Sequence, residues 1–84
     1  MVQSFNPRYA TGEEVAVGDS VLYLGVDACI EEVIMPESQR AHDCGFYDHK
    51  GHVLILDANG VRFSETFEQT ATSEELEFVA RRRM

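Results

Sequence analysis

The stretch Val17 to Met35, V-G-D-S-V-L-Y-L-G-V-D-A-C-I-E-E-V-I-M, constrains the fold more than any other part of the chain. Gly18-Asp19 marks a tight turn and Gly25 a second one, with the apolar run Val21 to Leu24 between them. Period 2 places Val21 and Tyr23 on one face of a strand and Leu22 and Leu24 on the other. Ala28 to Met35 reads as a longer strand. Ala28 and Ile30 share a face, and Val33 then breaks the alternation across Glu31-Glu32. A β-bulge at the glutamates restores Val33 to the inner face and leaves both carboxylates outside. A helix over Asp27 to Met35 is the rival reading. The β-branched content and Pro36 count against it.

A second strong signal follows. His52 to Leu56 carries four consecutive apolar residues, Val53, Leu54, Ile55 and Leu56, and Asp57-Ala58-Asn59-Gly60 comes next. Asp at the first turn position with Asn-Gly at its end predicts a hairpin, because Asn and Gly tolerate positive φ. Val61 to Phe67 is the return strand, with Val61 and Phe63 on one face. Residues 1–12 read as an irregular lead-in from which Phe5 and Tyr9 can still pack on the sheet, and Glu14 to Val17 as a short strand. Thr72-Ser73-Glu74-Glu75 has the form of a capping box and predicts about one helical turn. Leu76 to Ala80 then closes the sheet with Leu76, Phe78 and Val79 buried, and residues 81–84 form a basic tail.

Pro36 to Gly51 is a long polar loop, longer than most connections in compact domains and therefore functional or partly disordered. Phe46-Tyr47 in its middle is expected to anchor it through a short edge segment. It holds His42, Cys44 and His49, with His52 just beyond, in the pattern H-x-C-x4-H-x2-H. These are zinc-type ligands, but the spacing contains no paired C-x2-C or H-x3–5-H hook, and no metal is expected. Cys44 near a histidine is a thiol nucleophile only on a rigid frame with an oxyanion site, and no such frame is legible. There is no Gly-rich phosphate loop, no G-x-S-x-G and no H-E-x-x-H, so neither an enzyme nor a cofactor is expected. Cys29, among apolar strand residues, reads as a small core residue.

Eighty-four residues make one domain, 1–84, with a thin core, since a chain of this length buries only about 60–65% of its unfolded surface. A hydrophobic content of 44% suits a globular fold. No apolar run approaches the ~20 residues that span a bilayer. Met1 to Pro7 lacks the charged and apolar regions of a secretory signal, and the expected compartment is the cytoplasm.

Charge narrows the partners. Seven basic residues face 15 acidic ones for a formal net charge of −8. Three of the seven are Arg81, Arg82 and Arg83, so residues 1–80 carry −11. Such a body repels phosphate backbones, and no nucleic acid partner is expected. A basic protein would be attracted and its association accelerated. Glu13, Glu14, Glu31, Glu32, Asp43, Asp48, Glu65, Glu68, Glu74, Glu75 and Glu77 are all expected to face solvent. The predicted partner-binding set is Tyr47 flanked by Asp43 and Asp48, with Glu31 and Glu32 from the neighbouring strand: an aromatic anchor with a carboxylate rim, the anatomy of many protein interfaces. The alternative is an ordinary solvated acidic surface.

Two family resemblances rest on these residues. Gly18-Asp19, Val21, Gly25, Ala28, Ile30 and Val33 resemble the openings of KOW- and Tudor-type SH3-like barrels. Across most of the chain, Gly18-Asp19, Phe46-Tyr47, Gly51 to Gly60 and Glu75 to Val79 resemble small bacterial immunity proteins of polymorphic toxin systems. The first implies an all-β fold, a small five-stranded SH3-like barrel with one short helical turn before the last strand. The second implies a non-enzymatic inhibitor that neutralises a basic toxin domain by direct binding, with no catalytic residue to carry over. A KOW- or Tudor-type module acting on nucleic acid or on the transcription or translation machinery is the competing implication.

Overall fold

The computed structural model describes residues 6–81. It holds five strands, β1 (Ser20–Tyr23), β2 (Val26–Ile34), β3 (His52–Asp57), β4 (Arg62–Thr66) and β5 (Leu76–Ala80), with two short helices, α1 (Gln39–Asp43) between β2 and β3 and α2 (Phe67–Thr72) between β4 and β5. All strand pairs are antiparallel, in the order β4-β3-β2-β1-β5. The edge strands β4 and β5 share no ladder among the described residues. The sheet is therefore open where a closed barrel was expected.

The period-2 reading of β1 holds. Val21 and Tyr23 are buried, while Leu22 is half-buried and Leu24 exposed. The bulge in β2 falls where the broken alternation placed it. Ile30 pairs with Ile55 and Glu32 with Leu54, leaving Glu31 as the extra residue. Val33 thereby lies opposite the buried Val53 and packs on the core. That core joins Val21, Tyr23, Ile30, Val53, Ile55 and Leu76 from the sheet to Tyr9 and Val15 from the segment before it. Ile34 and Ala41 are buried outside that cluster.

The β3–β4 hairpin turns as its sequence requires. Asp57 and Val61 bond through their main chains at 2.9 Å, and the Asp57 carboxylate accepts from the amides of Asn59 and Val61. Gly60 takes φ 81°, the left-handed region that glycine enters without steric cost.

Several expectations are corrected. Glu14 to Val17 is not a strand, since only a single bridge joins Arg8 to Glu14. The helix before β5 does not start from Thr72. It is capped by Thr66, whose hydroxyl accepts from the Gln69 amide while the Gln69 side chain accepts from the Thr66 amide. Thr66-Phe67-Glu68-Gln69 fits the same S/T-x-x-E/Q pattern as Thr72 to Glu75. Here it wins because β4 ends at Thr66 and the free amides of the next turn need acceptors.

The long loop contains α1, capped by the Ser38 hydroxyl, and Phe46-Tyr47 forms no edge strand. Val79, expected to be buried, is exposed because it points outward from an edge strand, and Val61, expected to open the return strand, ends the turn before β4. Glu65, expected in solvent, is buried. Arg81, expected in a free tail, bonds Asp19. The expectations for Phe5 and for residues 82–84 lie outside the described residues. Among the described residues no helix is long and apolar enough to cross a membrane.

Candidate functional site

The loop from Pro36 to Gly51 is held by polar contacts that begin at its helix. Ser38 caps α1, and its hydroxyl also donates to the Met35 carbonyl at 2.8 Å. Arg40, on the exposed side of α1, reaches back to β2. Its Nε and Nη2 donate to the two carboxylate oxygens of Glu32 at 2.6 and 2.9 Å. From the other side of the bulge, Glu31 accepts from Arg62 on β4 at 2.8 and 3.1 Å. Each arginine holds its glutamate below the usual carboxylate range, first through these hydrogen bonds. The bidentate geometry suits a planar guanidinium.

Beyond α1 the chain turns at Gly45 and presents two aromatics with different fates. Phe46 lies on the His52 ring, with centroids 3.9 Å apart and planes within 9°. His52 Nε2 sits 3.0 and 3.1 Å from the two oxygens of Asp48, and this contact holds the Asp48 carboxyl below its usual range. His52 Nδ1 is buried without a partner among the described residues. Tyr47 instead points outward and is 68% exposed. Its hydroxyl donates to the His42 carbonyl at 3.3 Å, and its ring meets the His42 imidazole edge to face at 5.5 Å.

The five residues expected to bind a partner are thus placed as follows. Tyr47 is an exposed, tethered aromatic. Asp43 ends α1 and accepts from Gln39 at 3.0 Å. Asp48 is engaged with His52 and the Lys50 amide. Glu31 and Glu32 stand on β2, each under an arginine. Four of the five are anions already engaged by neighbouring side chains, and for Glu31 sequence spacing could not reveal that, since Arg62 is 31 residues away.

The histidines and Cys44 do not come together. His49 pairs with Glu37 at 3.2 Å, His42 with Tyr47, and His52 with Asp48. Among the described residues no three His, Cys, Asp or Glu side chains are placed to hold a metal ion. Cys29 and Cys44 are both half-buried free thiols.

Two buried acids escaped the sequence reading. Asp19 is fully buried and joins Tyr9, Ala16 and Arg81. Glu65 accepts from the Tyr23 hydroxyl at 3.0 Å, and its other oxygen is buried without a partner among the described residues. Burial pushes the Glu65 carboxyl up, and it pushes the Tyr23 hydroxyl up to about 12. Comparison with protein-family models, with curated proteins and with solved structures gives no match.

Proposed function

We propose that this chain is a non-enzymatic, acidic protein-binding module built on an SH3-like sheet, an immunity-type inhibitor that neutralises a basic toxin domain by direct binding. The strand order β4-β3-β2-β1-β5, with one short helix between β4 and β5, supports the SH3-like part of this reading. The observation that carries the functional part is Tyr47: a large aromatic, 68% exposed, tethered at its hydroxyl and ring edge by His42, next in sequence to Asp48, on a chain of net charge −8. A restrained exposed tyrosine gives up little conformational freedom on binding, the property that makes tyrosine frequent among interface residues of high energetic weight. Fold alone does not fix function, so the weight rests on this residue and on charge.

The test is recovery of a partner from the native cell, joined to binding of generic DNA and RNA at low salt. A basic toxin domain should be captured, and Tyr47→Ala should leave the fold intact while weakening capture by about 2 kcal/mol or more. Recovery of ribosomal or polymerase subunits, or micromolar nucleic acid binding, would replace this reading with the KOW- or Tudor-type one. Capture that Tyr47→Ala leaves unchanged would keep the class and move the contact elsewhere.

A further inference from the structure

We propose that the free edge of β5 is a docking groove for an extended partner segment that alternates apolar and basic residues. This inference goes beyond the Tyr47 surface and does not need it.

β5 pairs with β1 on one side and with no strand on the other among the described residues. A groove of about 360 Å³ is lined by residues of β5 and by Ala10 and Thr11 of the lead-in segment. The consecutive residues Leu76, Glu77 and Phe78 all line this groove. Successive side chains of a strand point to opposite faces, so three in a row share one groove only when it is approached from the strand's edge. The groove therefore meets the edge main chain, whose outward amides and carbonyls are the natural partners of an added strand.

Side chains select the occupant. Phe78, half-buried, supplies the apolar floor beside the buried Leu76, and the Tyr9 ring at 5.0 Å fixes it there. Glu74 and Glu77 are the charged lining residues, and no basic side chain lines the groove among the described residues. A strand laid here would set alternate residues on the apolar floor and the others toward the glutamates. An apolar–basic alternation satisfies both, and an acidic one is repelled. A second copy of this chain fits less well, because its own β5 would bring further glutamates to the same rim.

The probe is an acetylated, amidated octapeptide alternating lysine and valine, titrated into isotope-labelled full-length protein. Saturable binding is expected, with amide shifts concentrated on Leu76 to Ala80 and slowed hydrogen exchange there. Glu77→Lys and Glu74→Lys together should weaken binding at least tenfold, and circular dichroism should show the fold retained, since both side chains are exposed. A peptide N-methylated at every residue, which has no N–H to donate from either of its edges, should lose binding in the unaltered protein. The proposal is overturned if the N-methylated peptide binds equally, if a glutamate-for-lysine peptide binds as well, if the shifts centre on Tyr47, or if no saturable binding appears at millimolar peptide. Sedimentation showing a dimer that buries β5 would assign the edge to self-association and also overturn it. Loss of the Tyr47 contact leaves all these readouts unchanged, so the two surfaces fail separately.

Discussion

The hydroxyl of Tyr9 donates to the buried carboxylate of Asp19 at 2.7 Å. The same carboxylate accepts from the Ala16 amide at 2.9 Å and from Nε of Arg81 at 3.1 Å. Arg81 also donates to the Glu14 carbonyl and lies over the Phe78 ring, 5.6 Å from its centroid. One fully buried acid thus ties the lead-in segment, the entry to β1 and the end of β5. A charge removed from water is tolerated only when donors replace its hydration, and here three groups do so. Burial, then the bond to Asp19, drives the Tyr9 hydroxyl well above its ordinary range.

Asp19→Ala is expected to be among the most damaging single changes in the chain. It strands the Tyr9 hydroxyl and the Ala16 amide and frees Arg81, at a cost of about 3 kcal/mol. Arg81→Ala should cost less, because Asp19 keeps the Tyr9 hydroxyl and the Ala16 amide as donors and the side chain removed is half-exposed. Urea unfolding of the two variants checks the order, and equal midpoints for Asp19→Ala and the unaltered protein would remove Asp19 from this role.

Why Asp19 was unreadable as a keystone is plain from its neighbours. Gly18-Asp19 has the composition of a turn, and the residue completing its site lies 62 positions away. Local pattern carries what is local. The alternation at Val21 and Tyr23, the bulge at Glu31 and the Asn59-Gly60 turn were legible because each is decided within a few residues. The cap of α2 was misplaced because two segments, Thr66 to Gln69 and Thr72 to Glu75, fit one pattern, and only the end of the β3–β4 ladder selects the first. Glu65 was misread because its face is set by pairing with Val53, not by its own polarity. At the candidate site, residue type and position single out Tyr47, which the structure leaves exposed, whereas the arginines over Glu31 and Glu32 come from other elements.

Gly51 is fixed by space and not by backbone angle. A Cβ there would meet the Phe67 ring at 2.3 Å, and the Phe67 amide donates to the Gly51 carbonyl at 3.0 Å. Gly51→Ala must displace the ring that opens α2 and should cost about 1–3 kcal/mol, as overpacking does. Phe67→Leu on its own should also destabilise, but the double variant should lose less than the sum. An additive cycle would show that the two residues do not press on each other.

Glu65 gives the protein a stability slope opposite to that of its paired surface acids. Its carboxyl is raised in the folded state by burial, so the folded form holds the proton where the unfolded form has released it. Stability from this group is therefore lost as pH climbs from the ordinary glutamate range through the raised value, and stays lost above it. Glu31, Glu32 and Asp48, all lowered, lose their contribution as pH falls. Glu65→Gln removes only the first effect. The stability of Glu65→Gln relative to the unaltered protein should thus rise with pH across the weakly acidic range. A pH-independent difference would mean that Glu65 ionises in the fold as it does in the unfolded chain.

Arg40 bears on whether Glu32 meets a partner at all. In the free protein Glu32 is held by both ends of the Arg40 fork, so a partner's cation must displace a guanidinium already in place. Arg40→Ala frees that carboxylate and makes the protein one unit more negative. The pair is solvent-exposed, so its loss should move the unfolding midpoint little. If Glu32 contacts the basic partner recovered from the native cell, association should quicken and affinity rise by about two- to five-fold at low salt. The gain should shrink as ionic strength approaches levels where the screening length is a few ångströms, because it comes from unpaired charge and not from new packing. Stopped-flow association at two salt concentrations, with Glu32→Gln as the companion variant, reads this directly. Glu32→Gln should abolish the gain when combined with Arg40→Ala. Weaker binding by Arg40→Ala alone, at unchanged stability, would show instead that the partner recognises the Arg40–Glu32 pair as it stands, with α1 held against β2.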